Sequence, residues 1–226
     1  MQQSQRIMER LRERVQGRIL PGDDLVAVGA VGIKEARSLL LLHREQLRAR
    51  LPEHFLHQAA QRMSREEERL AGLRGGICCT GSPEKSSLPD DREPFPCLNP
   101  ASSGENPAGT EAQPYTVHGW IPTEDEGFFS ALWKLAEVSG AGLEADLFQV
   151  PVFQETVEIC EALGEDPLRL SCGSGYLAGV TGGWSLVREL SSSGISCAVI
   201  GSVQRGRRRL LYAGENVRFL ERPVLK

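Results

Sequence analysis

Between residues 115 and 220 short apolar runs alternate with amphipathic stretches, and glycine or proline closes nearly every one. This alternation restricts the fold more than any other feature of the chain. Residues 126–138 place Phe128, Phe129, Leu132, Leu135 and Ala136 at helical spacing, and Gly140 ends the run. Residues 153–163 read as a second helix with Val157, Cys160 and Leu163 inward, Gly164 just past its end and Pro167 beyond. Residues 184–190 form a third. Strands are expected at 115–118, 143–147, 176–181, 195–203, 210–213 and 217–220, the last two joined as a hairpin around Gly214, Glu215 and Asn216. Helices interleaved with strands need a sheet to pack on. The pattern therefore predicts an α+β (α/β layered) domain with helices packed on a mixed β-sheet.

The preceding residues extend the pattern. Residues 4–16 can form a short charged helix with Ile7, Leu11 and Val15 on one stripe. A turn follows at Leu20-Pro21-Gly22-Asp23-Asp24, then a strand over 25–31. Residues 34–50 read as one helix broken by Pro52, and 53–73 as another closed by Gly75-Gly76. From 78 to 114 the composition changes to Pro, Ser, Gly, Asn and acids. In or near this stretch the large apolar residues are Ile77, Leu88, Phe95 and Leu98. So little apolar surface cannot offset the entropy of ordering, and the segment is expected to be a disordered, dispensable insertion. The layout is thus an N-terminal extension (1–20), one domain in two pieces (21–77 and 115–222), the insertion (78–114) and a short tail (223–226).

Bulk properties exclude several classes. The 226 residues carry 40% hydrophobic and 25% charged side chains, with a formal net charge of −4. This balance gives no general attraction to nucleic acid or to an anionic membrane. The polar N-terminus has no signal-peptide core, and no apolar run approaches the ~20 residues of a membrane span. A cytoplasmic location is the expectation, and with it reduced cysteines. Cys78, Cys79 and Cys97 with His118 match no usual zinc spacing, and Cys160, Cys172 and Cys197 read as small buried residues.

Local sequence then resembles a known family. Gly22-Asp23-Asp24-Leu25-Val26, with Gly32 before a helix, resembles the opening of the C-terminal domain of the AIR synthase-related (PurM-like) superfamily. The segment from Glu126 through Gly127, Phe128, Ala131, Leu132 and Trp133 to Glu137 looks like that domain's first long helix. Pro151-Val152, Cys160-Glu161-Ala162-Leu163-Gly164 and Asp166-Pro167-Leu168 resemble its Pro-Val … Cys-Glu-x-Leu-Gly-x-Asp-Pro-Leu block. Cys172-Gly173-Ser174-Gly175 stands where the family has a small Gly/Ser loop before a strand. The likeness covers about residues 20–75 and 115–222 and leans toward hydrogenase-maturation-like members. It implies a PurM-like C-terminal domain whose companion N-terminal half, bearing most ATP- and metal-binding aspartates, is expected to be lacking here.

The sequence also departs from that family. The family's His-Asp motif before the first helix becomes His118-Gly119, and the second glycine of its Gly-Gly pair becomes Phe128. Loss of the aspartate removes a hard oxygen ligand. The chain ends Arg222-Pro223-Val224-Leu225-Lys226, without the reactive terminal cysteine of hydrogenase-maturation dehydratases.

The candidate cofactor-binding residues are His118, Glu124, Glu126, Gly127, Gly173, Ser174 and Gly175. Glu124, Asp125 and Glu126 can hold a metal through a nucleotide, although acids at a helix start are also plain electrostatics, worth ~0.3–1 kcal/mol each. Gly173-Ser174-Gly175 can approach a phosphate through backbone N–H groups, or be only a turn. Gly182-Gly183 before Trp184 offers an anion site or a plain strand-to-helix turn. His54 and His57 are a weak metal pair. Arg205, Arg207, Arg208 and Arg209 read as a solvated turn or a phosphate contact. No catalytic residue and no metal ligand is assigned. ATP and Mg²⁺ are expected only with a partner, either a separately encoded ATP-binding domain or a second copy. The reading is a non-catalytic binding or assembly module; the alternative is an ATP-dependent enzyme completed in trans.

Overall fold

A computed structural model describes residues 15–73, 115–123, 127–173 and 175–223. The expected helix over 4–16 falls mostly on residues 1–14, and the expected insertion on 78–114, both outside the described residues. Eight strands form one mixed sheet: β1 (Gln16–Gly17), β2 (Asp24–Val28), β3 (Thr116–Pro122), β4 (Gly142–Asp146), β5 (Tyr176–Thr181), β6 (Cys197–Gln204), β7 (Arg209–Ala213) and β8 (Asn216–Phe219). Their spatial order is β1-β3-β5-β2-β6-β4-β7-β8. Every neighbouring pair is antiparallel except β4 with β7. The described helices are α1 (Ile33–Leu42), α2 (Arg44–Arg48), α3 (Glu53–Leu73), α4 (Phe128–Ser139), α5 (Gln154–Leu163) and α6 (Gly183–Ser192).

The side-chain period of two along a strand divides the core. On β2, Leu25 and Ala27 join a cluster built on Phe128, Leu132 and Leu135 of α4. Val26 and Val28 join the opposite cluster, with Ile33, Leu40, Leu56, Met63, Ile159 and Leu186 from the remaining helices. Among the described residues, one helix therefore covers one face of the sheet; on the other, α6 packs directly on β2 and β6 and five helices in all contribute to the cluster. β3 contributes to both faces with residues of equal parity: Val117 goes to one cluster and Ile121 to the other. A register shift between Val117 and Gly119 explains this, because a one-residue slip turns the following side chains over. His118 is the bulged residue.

Glycine and proline set the element ends as expected. Gly140 and Gly164 take the left-handed conformation at the ends of α4 and α5 (φ 66° and 77°). β5 falls on the expected residues. The expected helix over 34–50 is two helices, interrupted at His43. The N-terminal segment gives a short strand at Gln16 rather than continued helix. Val157 was expected inward but is 42% exposed; α5 instead buries Thr156, Ile159, Cys160 and Ala162. Val157 and Ile159 are separated by about 200° around a helix, so burying one exposes the other. No helix among the described residues is long and apolar enough to cross a membrane.

Leu132 is fully buried beneath the sheet and Val157 is not. Leu132→Ala is therefore expected to lose about 2–5 kcal/mol, and Val157→Ala less than about 1 kcal/mol, in denaturant titrations. Equal losses would contradict the assignment of faces.

Candidate functional site

Strand topology brings three loops to one place. β5 runs antiparallel to both β2 and β3, so Tyr176 at its start pairs with Val28 and with Pro122 at their ends. The loops after β2 (Gly29 to Gly32), after β3 (from Thr123 to Gly127) and before β5 (Leu170 to Gly175) must then meet. They meet backbone to backbone. A Cβ on Gly29 would lie 3.1 Å from Cα of Gly175 and 2.7 Å from the Leu70 side chain. A Cβ on Gly175 would lie 2.9 Å from both the Thr123 hydroxyl and the Val28 carbonyl. The Thr123 N–H donates to the Gly175 carbonyl at 2.8 Å. Gly127 (φ 77°) faces the Leu170 carbonyl, where a Cβ would come within 3.1 Å. Gly173 (φ 79°) packs on Lys34. Neighbouring backbone occupies the space a side chain would need at Gly175 and Gly127, and the Leu70 and Lys34 side chains crowd Gly29 and Gly173.

Cys172 lies buried inside this junction. Burial pushes its thiol up to about 11, against weaker opposing influences from the Gly32 and Phe128 N–H groups and the Thr123 hydroxyl. Burial likewise raises Cys160 to about 11. The Thr123 hydroxyl has no regular hydrogen-bond partner. Sequence reading treated Cys172 as a small buried residue, and it is one.

The expected site residues do not gather in one place. Gly127, Gly173 and Gly175 belong to the loop junction. Glu124, Glu126 and Ser174 lie outside the described residues, as do Cys78, Cys79 and Cys97. His118 is on the bulge of β3, where its neighbours pair with Val180 and Gly179 at the far end of β5. Its Nδ1 is 2.8 Å from Oδ1 of Asp23, which also accepts from the Thr181 hydroxyl at 3.1 Å. The second oxygen of Asp23 accepts the Leu20 N–H at 2.8 Å. The sequence presented Asp23 as a turn residue within the segment that resembles the opening of the PurM-like C-terminal domain, without assigning it a site role.

Other described carboxylates are similarly engaged by the chain's own amides. Asp24 accepts the Gly183 N–H at 2.8 Å, so the anion at the start of α6 is supplied from β2. Glu35 accepts the Ser171 N–H at 2.7 Å, and Glu66 the Ser196 N–H at 3.0 Å. His54 and His57 are exposed on α3, and His57 faces Gln61. Among the described residues no group of three His, Cys, Asp or Glu side chains converges as metal ligands would. The arginine run differs from expectation at one position. Arg205, Arg207 and Arg208 are exposed, whereas Arg209 is 8% exposed, paired with Glu137 and packed over Trp133.

Open space lies beside the junction. A groove of about 290 Å³ is bounded by Gly127 at the start of α4, by Leu168 and Arg169, and by the β8 segment through Arg222. The first turn of α4 has no side-chain cap. Arg218 lies 5.3 Å over the Phe129 ring and Arg222 5.5 Å over Trp133. Among the described residues neither has a carboxylate partner within salt-bridge distance. Arg169 has Asp166 at 3.4 Å, and Glu221 is the acid lining the groove. Three guanidiniums lining one groove favour an anionic ligand. Four separate segments build this groove, so no local motif announced it.

No protein-family model matches the chain, and no curated protein matches it in sequence. Solved structures do. The hydrogenase maturation protein HypE of E. coli aligns with a TM-score of 0.54 at 18% identity, covering 90% of this chain and 51% of its own. HypE in a HypE–HypF complex aligns at 0.51 and 16% identity, over 90% and 54%. Thiamine-monophosphate kinase from Aquifex aeolicus aligns at 0.51 and 17%, over 90% and 52%. The chain spans about half the length of these proteins, and the likeness is one of fold.

The raised thiols have a pH consequence. Cys172 holds its proton in the folded state up to about 11, whereas the unfolded thiol loses it near 9.0. Stability from this group is complete below pH 9 and is lost as pH rises toward 11, because only the unfolded chain then ionises. Denaturant titrations across that window are expected to show a fall that is shallower in Cys172→Ala. An identical slope in the variant would contradict a buried, protonated thiol.

Proposed function

We propose that this chain, an α+β domain with the PurM-like fold, acts as a binding and assembly module and not as a self-sufficient enzyme. The observation that carries this reading is the closure of the loop junction. Gly127, Gly173 and Gly175, where the sequence resemblance implies phosphate contacts, pack on the chain's own backbone and on Lys34. Glu35 at the junction already accepts the Ser171 N–H, and Asp24 at the other end of β2 accepts that of Gly183. What stays open is the arginine groove at the start of α4.

Phosphate oxygens fit that groove, since Arg169, Arg218 and Arg222 line it beside the start of α4. Among the described residues no three His, Cys, Asp or Glu side chains converge, so they offer Mg²⁺ no all-protein cage. The chain would therefore hold the anionic end of a ligand while a partner supplies metal ligands. That partner is a separately encoded ATP-binding domain or a second copy of the chain. In the completed assembly ATP would be the activating group, and the arginines here would orient and neutralise its phosphates. HypE, one protein of similar fold, has been solved in complex with HypF, which supports the idea of a partner without specifying one.

Calorimetric titration of the purified chain with ATP·Mg²⁺, alongside a phosphate-release assay, tests the reading. The expected results are no release and a dissociation constant weaker than about 0.1 mM, corresponding to less than about 5.5 kcal/mol of binding. Micromolar affinity with turnover that disappears in Glu126→Ala would overturn it in favour of a complete enzyme.

A further inference from the structure

A second, larger cleft of about 500 Å³ lies between α3, the start of α5 and the turn from α6 to β6. Its walls are polar, and its charge comes mainly from one helix. Arg62, Arg65 and Arg69 all line it from α3. Their spacing along the axis is about 4.5 Å and then about 6 Å. Like charges three and four residues apart on a helix repel. Arg65 has Gln61 and Arg69 four away and Arg62 and Glu68 three away, so two arginines and a single acid lie within helical reach of it.

Two of the three guanidiniums are held in place. Arg62 reaches both carboxylate oxygens of Glu155, at 2.8 and 3.0 Å, and lies 4.2 Å over the Phe153 ring. Arg69 donates to the Gly194 carbonyl at 2.8 Å. Gly194 has φ of +74°, and a Cβ there would stand 3.4 Å from the Arg69 Nη1. Both arginines are fixed through Nη1 alone. A guanidinium carries five N–H donors, so Nε and Nη2 of each remain for something else. Arg65, between them, makes no hydrogen bond or ion pair among the described residues. Glu66 forms part of the wall and is occupied in holding the Ser196 N–H at 3.0 Å.

From this arrangement we infer that the cleft is a binding site for a compact oxyanion bearing two or more charges, such as a diphosphate or a small polycarboxylate. Arg62 and Arg69 form fixed sides, and Arg65 closes on the ligand between them. The volume lies within the range of small-molecule sites. Glu66 and Glu155, together with the chain's net charge of −4, disfavour a long polyanion such as nucleic acid. Planar guanidinium forks suit phosphate and carboxylate alike, so both sources share one chemistry.

Calorimetric titration of the full chain at low salt with inorganic pyrophosphate, and separately with citrate, tests this inference. Saturable binding of either anion is expected, at least tenfold weaker in Arg65→Gln and in Arg69→Gln. Binding should be unchanged in Arg205→Gln, an exposed arginine that lines neither cleft. The tighter of the two anions identifies the source. Arg65 is exposed, so its variant is expected to melt with the wild type when no anion is added. Absence of saturable heat with both anions up to about 5 mM, a range that still detects affinities near 4 kcal/mol, would overturn the proposal. So would wild-type affinity in Arg65→Gln, or loss of binding only in Arg218→Gln.

Discussion

Close approach of backbone to backbone at the entry of β5 is the constraint on which the rest depends. Gly29 against Gly175, and Gly175 against Val28 and Thr123, let three loops approach more closely than a Cβ at either glycine would permit. β2 is hydrogen-bonded on both edges, to β5 and β6, and Leu25 to Val28 are buried. The loop leaving β2 therefore has little freedom, and the other two loops must fit against it. Their positions fix where α1 and α4 begin. Gly32 stands against the Pro167 carbonyl and Gly127 against that of Leu170. A methyl group at Gly175 would force backbone apart at the centre of the sheet, an overpacking cost of about 1–3 kcal/mol.

The polar groups follow the same inward logic. Asp23, 2% exposed, is tolerable because its oxygens accept from Leu20 and Thr181 and face His118. Asp24, Glu35 and Glu66 each satisfy a backbone N–H at a turn or helix start. Acids used to hold loops in place have less freedom to bind a metal. The cationic side differs: Arg65, Arg218 and Arg222 line open clefts with no carboxylate bound among the described residues. Binding capacity in this domain is thus anion-directed.

Much of the architecture was legible in the sequence because local chemistry and global fold agree. Gly140 and Gly164 end helices for the reason glycine usually does, and Tyr176 to Thr181 forms the expected strand. Errors arose where tertiary context decides. The spacing Val157, Cys160, Leu163 and the spacing Thr156, Ile159, Cys160 are both helical; packing against α1, α2 and α3 selected the second. The break at His43 has no proline or glycine beside it to signal it. Arg209 belongs to a basic run, yet the strand start carries it onto Trp133 and Glu137. His118 and Gly127 are nine positions apart in sequence, but β3 separates them toward opposite ends of the sheet. The arginines of the groove beside α4 come from segments distant in sequence and carried no motif; Arg62, Arg65 and Arg69 share one helix, but the residues that complete their cleft, Glu155 and Gly194, lie far away in sequence.

A closed junction with binding confined to the clefts around it is the central claim. Native-state hydrogen exchange of the Thr123 amide tests this most directly, since that N–H donates to the Gly175 carbonyl at 2.8 Å across the junction. A closed junction predicts protection equal to that of the Ala178 and Val180 amides within β5, released only by global unfolding. Exchange of Thr123 at the rate of an exposed loop, with β5 still protected, would mean the three loops open as a cleft and would contradict the account.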